Sequence, residues 1–153
     1  MIATPDELAE IRGHAETEYP SECCGVILTR GRDERRLLRC RNVQDALHAS
    51  DPVTHPRDSR TAYHIDPKDL LQIGRREADG YLVSVIYHSH CDAGAYFSET
   101  DTRNALFGRE PAYPDATYVV VSVVRGRVAA AEAFRWNGER RDFLAVEFKA
   151  FQA

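Results

Sequence analysis

Apolar residues recur with two different periods along the chain, and the changes of period mark its elements. In TPDELAEIRGHAETEYP, Leu8, Ile11 and Ala15 fall on one face at helical spacing. Thr4 is placed to cap this helix, Pro5 fits its first position, Glu7 completes a capping box and Pro20 ends it. His14 on this helix reads as solvent-facing. CGVILT is a short continuous apolar run of the kind a buried strand shows, and RRLLRCRN answers it across the GRDE turn as a hairpin. Residues 44–61 carry Pro52 and Pro56 and few core formers, which predicts a long irregular loop, a class often functional or mobile.

AYHI predicts a short strand, and Asp66 and Pro67 open a second helix that offers Leu70, Leu71, Ile73 and Ala78 to the core. YLVSVIYHSH is dense in β-branched and aromatic residues and reads as a strand. A third helix is expected from about Glu99 to Phe107, with Gly108 ending it. TYVVVSVVRGRVAAAEAFRW reads as two strands around an Arg-Gly turn, and DFLAVEFKAF adds a last one. Strands and helices in this order give an α/β (α+β-like) domain spanning 1–153, a mixed sheet with helices packed on it.

Composition narrows the function classes. The net charge of −4, with both signs interspersed, gives no basic footprint for nucleic acid. No run of 18 apolar residues and no N-terminal apolar stretch followed by a cleavage site is present, so a cytoplasmic chain with no membrane span is expected. The four cysteines include no C-x-x-C; Cys23 and Cys24 are adjacent and would point to opposite faces of a strand, which argues against a disulfide framework or a zinc knuckle. A homodimer is compatible with all of this.

Candidate chemistry gathers in HSHCDAGAYFSETD, residues 88–101. Side chains alternate along a strand, so His88 and His90 share a face and could share one metal ion. Catalytic zinc takes three protein ligands and leaves a fourth position open. Asp101 is the candidate third ligand, because the loop after Cys91 can turn the next helix's first turn back toward the histidines. Ser98 and Asp101 also read as a plain helix capping box, and the two roles can coexist. H-x-H-x7-S-x2-D would arise by chance roughly once in a thousand chains of this composition. Cys91 is expected to point away from the metal, and Asp92 and Tyr96 to shape a groove or turn the chain.

With PSECCGVIL placing Glu22 just before a buried strand, this pattern resembles the JAMM motif of the MPN-plus metalloproteases, in their compact stand-alone bacterial form. The order of elements resembles that family over most of the chain. The resemblance implies a cytidine deaminase-like JAMM fold and one Zn2+ held by His88, His90 and Asp101. It implies Glu22 as general base and then acid, and Ser98 as a hydrogen-bond donor to the developing oxyanion. It further implies hydrolysis of a peptide or isopeptide bond at the C-terminus of a ubiquitin-like or sulfur-carrier protein. The deubiquitinating branch usually carries proline before the motif serine, where this chain has Phe97. The competing expectation is a non-catalytic MPN-type scaffold that binds ubiquitin-like partners; the ligand set and Glu22 are all present, which speaks against it. A zinc deaminase would need P-C-x-x-C, which is missing.

Overall fold

The computed structural model describes residues 1–151. In chain order the elements are α1 (Pro5–Glu18), β1 (Cys24–Arg30), β2 (Glu34–Cys40), α2 (Gln44–Ser50), α3 (Pro67–Ala78), β3 (Leu82–Cys91), α4 (Glu99–Ala105), β4 (Leu106–Phe107), β5 (Glu110–Pro111), β6 (Thr117–Val124), β7 (Arg127–Asn137) and β8 (Asp142–Val146). Six strands form one mixed sheet in the order β2-β1-β3-β6-β7-β8, a mixed α/β architecture as the strand pattern predicts. Among the described residues only β3 and β6 run parallel, and they sit at the centre. A parallel neighbour requires a crossover, and this one contains α4 and the small β4–β5 ribbon.

Each face of the sheet carries its own core. Ile11 and Ala15 of α1 pack with Ile27, Val85, Tyr87, Val119 and Val121 on one side. Ile73 of α3 and Ala105 of α4 pack with Val26, Leu28, Ile86 and Tyr118 on the other. Val83 and Val85, two residues apart, nonetheless belong to different faces, because β3 gains one residue where its pairing moves from Leu28 to Ile27. Beyond that bulge strict alternation resumes, and it decides which face His88 and His90 occupy.

The adjacent cysteines divide as their spacing requires: Cys23 enters the α1-side core and Cys24 the other, and all four thiols are free. The β6–β7 hairpin turns on Arg125 and Gly126, both at positive φ, as a tight two-residue connection demands.

Several expectations need correction. His14 is buried rather than solvent-facing, because its Nδ1 lies 2.8 Å from the hydroxyl of Tyr87, whose ring covers Gly25. A Cβ on Gly25 would collide with that ring. Residues 44–50 form α2 instead of loop; only Gln44 of it is buried, so no apolar period announces the helix. Asn42 starts it by accepting the Gln44 N–H at 3.0 Å. AYHI is not a strand: only Ile65 makes a bridge, to Asn42. Of the apolar residues of α3 only Ile73 is buried, while Leu70, Leu71 and Ala78 are exposed. Finally, α4 stops at Ala105, because Leu106 and Phe107 pair with Glu110 and Pro111 around Gly108.

Candidate metal centre

Three elements deliver the candidate residues to the C-terminal end of β3. His88 and His90 follow Ile86 on the α3/α4 side of the sheet. Cys24 pairs with His88, and the backbone bond from Ser89 N–H to Cys23 O at 3.1 Å carries the antiparallel register onward. The next step sets Glu22 across from His90, on the same face. The Ser89 hydroxyl, on the opposite face, accepts the Cys23 N–H at 2.8 Å and fixes this end of the pair.

Asp101 arrives on the first turn of α4. Ser98 caps that helix: its hydroxyl accepts the Asp101 N–H at 3.0 Å, and the Asp101 carboxylate accepts the Ser98 N–H at 2.9 Å. Phe97 anchors the preceding loop, its ring packed against Tyr118, Phe134 and Phe143 with centroids 4.7–5.5 Å away. The residue that departs from the deubiquitinating pattern is therefore a core anchor that fixes where α4 begins.

The donor atoms converge. His88 Nε2 and His90 Nε2 are 3.3 Å apart, and each lies 3.1 Å from an oxygen of Asp101. A tetrahedral ion with bonds of 2.0–2.1 Å needs ligand atoms about 3.3 Å apart. The chemistry agrees with the spacing. His90 Nδ1 lies 2.8 Å from the carbonyl of Gly94, which can only accept, so Nδ1 carries the proton and Nε2 of the neutral ring offers its lone pair. His88, His90 and Asp101 are all buried, and this is a group that could hold a metal ion.

The electrostatics have separate physical causes. Burial holds His88 below the usual histidine range, although Asp101 pulls the other way. Burial would lower His90 too, but the bond and charge of Asp101, with help from the Gly94 carbonyl and Glu22, raise it. Burial would raise Asp101, yet the charge and hydrogen bonds of the two imidazoles and the Ser98 N–H hold it well below the carboxylate range. Glu22 lacks such partners: burial pushes it up to about 8, Asp101 adds to the rise, and His90 and Arg57 oppose it.

Glu22 is 4 % exposed, and its Oε1 is buried with no hydrogen-bond partner among the described residues. Its backbone, by contrast, is tied down. Its N–H donates to Ser59 O at 2.7 Å, and its carbonyl accepts from the Asn42 side chain at 2.9 Å. Glu22, His90 and Ser98 line a cleft of about 310 Å³, with His88 and Asp101 buried behind it. The fold thus brings all five sequence-predicted residues to one place. Cys91, expected to point away, borders this cleft at the strand's end. Tyr96 forms part of its wall, edge-on to His90 at 4.9 Å. Asp92 turns the chain: at positive φ it accepts from Tyr19 at 2.6 Å and from the Arg125 N–H at 2.8 Å.

Residues 4–137 match the family described as prokaryotic homologs of the JAB domain. The chain belongs to this family. It is the JAMM/MPN family that the sequence resembles. Among curated relatives, the CysO-cysteine peptidase of Mycobacterium tuberculosis is 32% identical over 126 residues, covering 80% of this chain and 73% of its own. Tail tip assembly protein K of Escherichia phage N15 is 36% identical over 91 residues, 60% of this chain and 30% of that protein. Among solved structures, a Desulfitobacterium hafniense protein matches with TM-score 0.67 at 18% identity, over 98% of this chain and 92% of its own, a likeness of fold alone. A Salinibacter ruber protein matches with TM-score 0.60 at 29% identity, over 96% and 89%.

Sequence reasoning missed five residues that build this JAB-domain site. Arg57, Arg60 and Thr61 come from the segment read as an open loop. Tyr63 stacks on His88 with centroids 4.5 Å apart. Asn42 donates to the carbonyls of Glu22 and Ala62 and accepts from the N–H groups of Gln44 and His64, stapling the segment to the Glu22 end of β1. An asparagine between a strand and an apparent loop was the only sequence signal for it.

Proposed function

We propose that this chain is a zinc-dependent metallopeptidase that hydrolyses a peptide or isopeptide bond at the C-terminus of a ubiquitin-like or sulfur-carrier protein. One observation carries the chemistry: a buried glutamate with an unpartnered oxygen lines the same cleft as His90, a member of the converged His-His-Asp donor set. The named activity of the mycobacterial relative supports the substrate class.

His88, His90 and Asp101 would hold the ion through two Nε2 atoms and the carboxylate. A zinc ion there would supply Lewis acidity, bringing the pKa of water down to about 7. Glu22 has no competing partner, so its carboxylate takes the proton of the attacking water and returns it to the departing amine. The Ser98 oxygen already accepts the Asp101 N–H, which leaves the hydroxyl proton free to donate to the oxyanion that develops on the substrate carbonyl. Asn42 and Ser59 hold Glu22 through its backbone, so its side chain needs no bond of its own to stay aimed.

A non-catalytic scaffold has no use for a buried glutamate left unpaired at a cost of about 1–3 kcal/mol. The test is intact-mass analysis of a sulfur-carrier protein whose Gly-Gly tail carries one added residue. Zinc-loaded protein should remove that residue, and a chelator should stop it. An unchanged mass across a panel of such carriers would sink the peptidase reading.

A further inference from the structure

We infer that the cleft recognises a free α-carboxylate through Arg57, Arg60 and Arg103, so that the bond cut lies close to the substrate's C-terminus. The inference rests on the peptidase reading and narrows its substrate to a tail whose leaving fragment ends in a free acid.

Three guanidinium groups line the cleft that Glu22, His90 and Ser98 line. Two of them come from the 44–61 segment and the third from α4, so they approach from separate elements. Among the described residues none of the three forms an ion pair. The one side-chain hydrogen bond among them is from Arg103 to the Thr100 hydroxyl at 3.5 Å. Arg35, in contrast, spends both arms of its guanidinium on Glu7. The cleft's other exposed charge, Glu99, leaves the cationic groups in excess.

The backbone that presents these groups is fixed. The buried Gln44 side chain donates to the Arg57 carbonyl at 2.8 Å. The Ser59 N–H donates to Asp45 at 2.8 Å, and the Ser59 carbonyl holds the Glu22 N–H. The segment that carries Arg57 is therefore tied to the backbone of the glutamate. Arginine binds carboxylate through two parallel charge-assisted bonds. The backbone of an internal stretch of peptide brings no carboxylate to satisfy it. A C-terminal residue does, and a carboxylate held in the cleft that Glu22 and Ser98 line puts the substrate's C-terminus close to the bond cut.

Binding and cleavage test this separately. Acetyl-Gly-Gly-Ala as the free acid and as its C-terminal amide are titrated into the full chain by calorimetry. The acid should bind about tenfold tighter than the amide. Arg57→Gln should remove most of that preference, and Arg57→Lys should keep part of it; Arg57 is exposed, and an unchanged melting temperature confirms folding. Equal affinity for acid and amide, no binding of either, or a preference that survives both Arg57→Gln and Arg60→Gln would overturn the inference. In cleavage, a carrier extended by one free-acid residue should be processed well ahead of its amide or a three-residue extension. Equal processing of all three overturns the carboxylate inference and leaves the peptidase reading standing. Failure to process any of them sinks the peptidase reading, while the binding preference still decides the recognition.

Discussion

The carboxylate of Asp101 accepts the Ser98 N–H at 2.9 Å and at the same time stands 3.1 Å from both imidazole nitrogens. One side chain thus starts α4 and closes the donor triangle. Asp101→Asn keeps an oxygen for the cap but removes the charge from the ligand set. Zinc affinity should fall by well over the roughly 10–100-fold typical of losing an outer-shell partner, with the fold retained. Competition against a chromophoric chelator, with circular dichroism as the control, measures this.

Ser98→Ala separates cap from catalysis. Losing the cap costs about 1 kcal/mol. Losing the oxyanion donor should lower kcat by about 10²–10³-fold, with zinc content unchanged. A kcat within a factor of three of the wild type would remove Ser98 from the mechanism.

Glu22→Gln should abolish hydrolysis and retain zinc. The same change has a stability signature in the metal-free chain. A carboxyl raised by burial to about 8 binds its proton in the fold over a pH range where the unfolded chain has released it. Its favourable contribution is therefore complete below the ordinary carboxylate pKa and is lost as pH rises through 8. Glu22→Gln should make the apo protein more stable than wild type at pH 9, by about 1–3 kcal/mol, with the difference shrinking at pH 5. Urea melts at the two pH values check the sign.

How far the sequence reached depends on where each signal lay. The shared face of His88 and His90 was legible because strand alternation is a local fact, and the start of α4 at Ser98 and Asp101 because a capping box is one too; Glu22 entered only through the family resemblance. The 44–61 segment was not legible. Its order comes from Asn42, Gln44, Asp45 and Ser59 hydrogen-bonding to backbone, which leaves no apolar period to read. His14 failed for a related reason: its burial depends on Tyr87, 73 residues away, lying across Gly25.

That buried pair gives a further expectation. Burial, helped by the Arg39 charge, holds His14 down at about 4 against an ordinary 6.5. The unfolded chain takes up a proton between these values and the fold does not. Stability present above pH 6.5 should be lost as pH falls toward 4, by about 3 kcal/mol at most. His14→Gln should flatten that part of the profile. Gly25→Ala, which drives Tyr87 off His14, should cost about 1–3 kcal/mol at neutral pH. Denaturant midpoints across pH 4–7 report both.

Asn42→Ala should act on rate through position. It leaves the carbonyls of Glu22 and Ala62 and the N–H groups of Gln44 and His64 without their partner. A stability loss of about 1–3 kcal/mol should accompany a lower kcat with KM little changed, since Glu22 loosens while the zinc donors stay. A KM effect alone would contradict this role.

Zinc occupancy of the set His88, His90 and Asp101 decides whether this chain is a metallopeptidase. Its most direct measurement is zinc per chain after reconstitution and exhaustive dialysis. Wild type and Glu22→Gln should each retain about one zinc, and His88→Ala and Asp101→Ala close to none. A folded wild-type chain that retains no zinc, or alanine variants that retain as much as wild type, would contradict the assignment of zinc to this set.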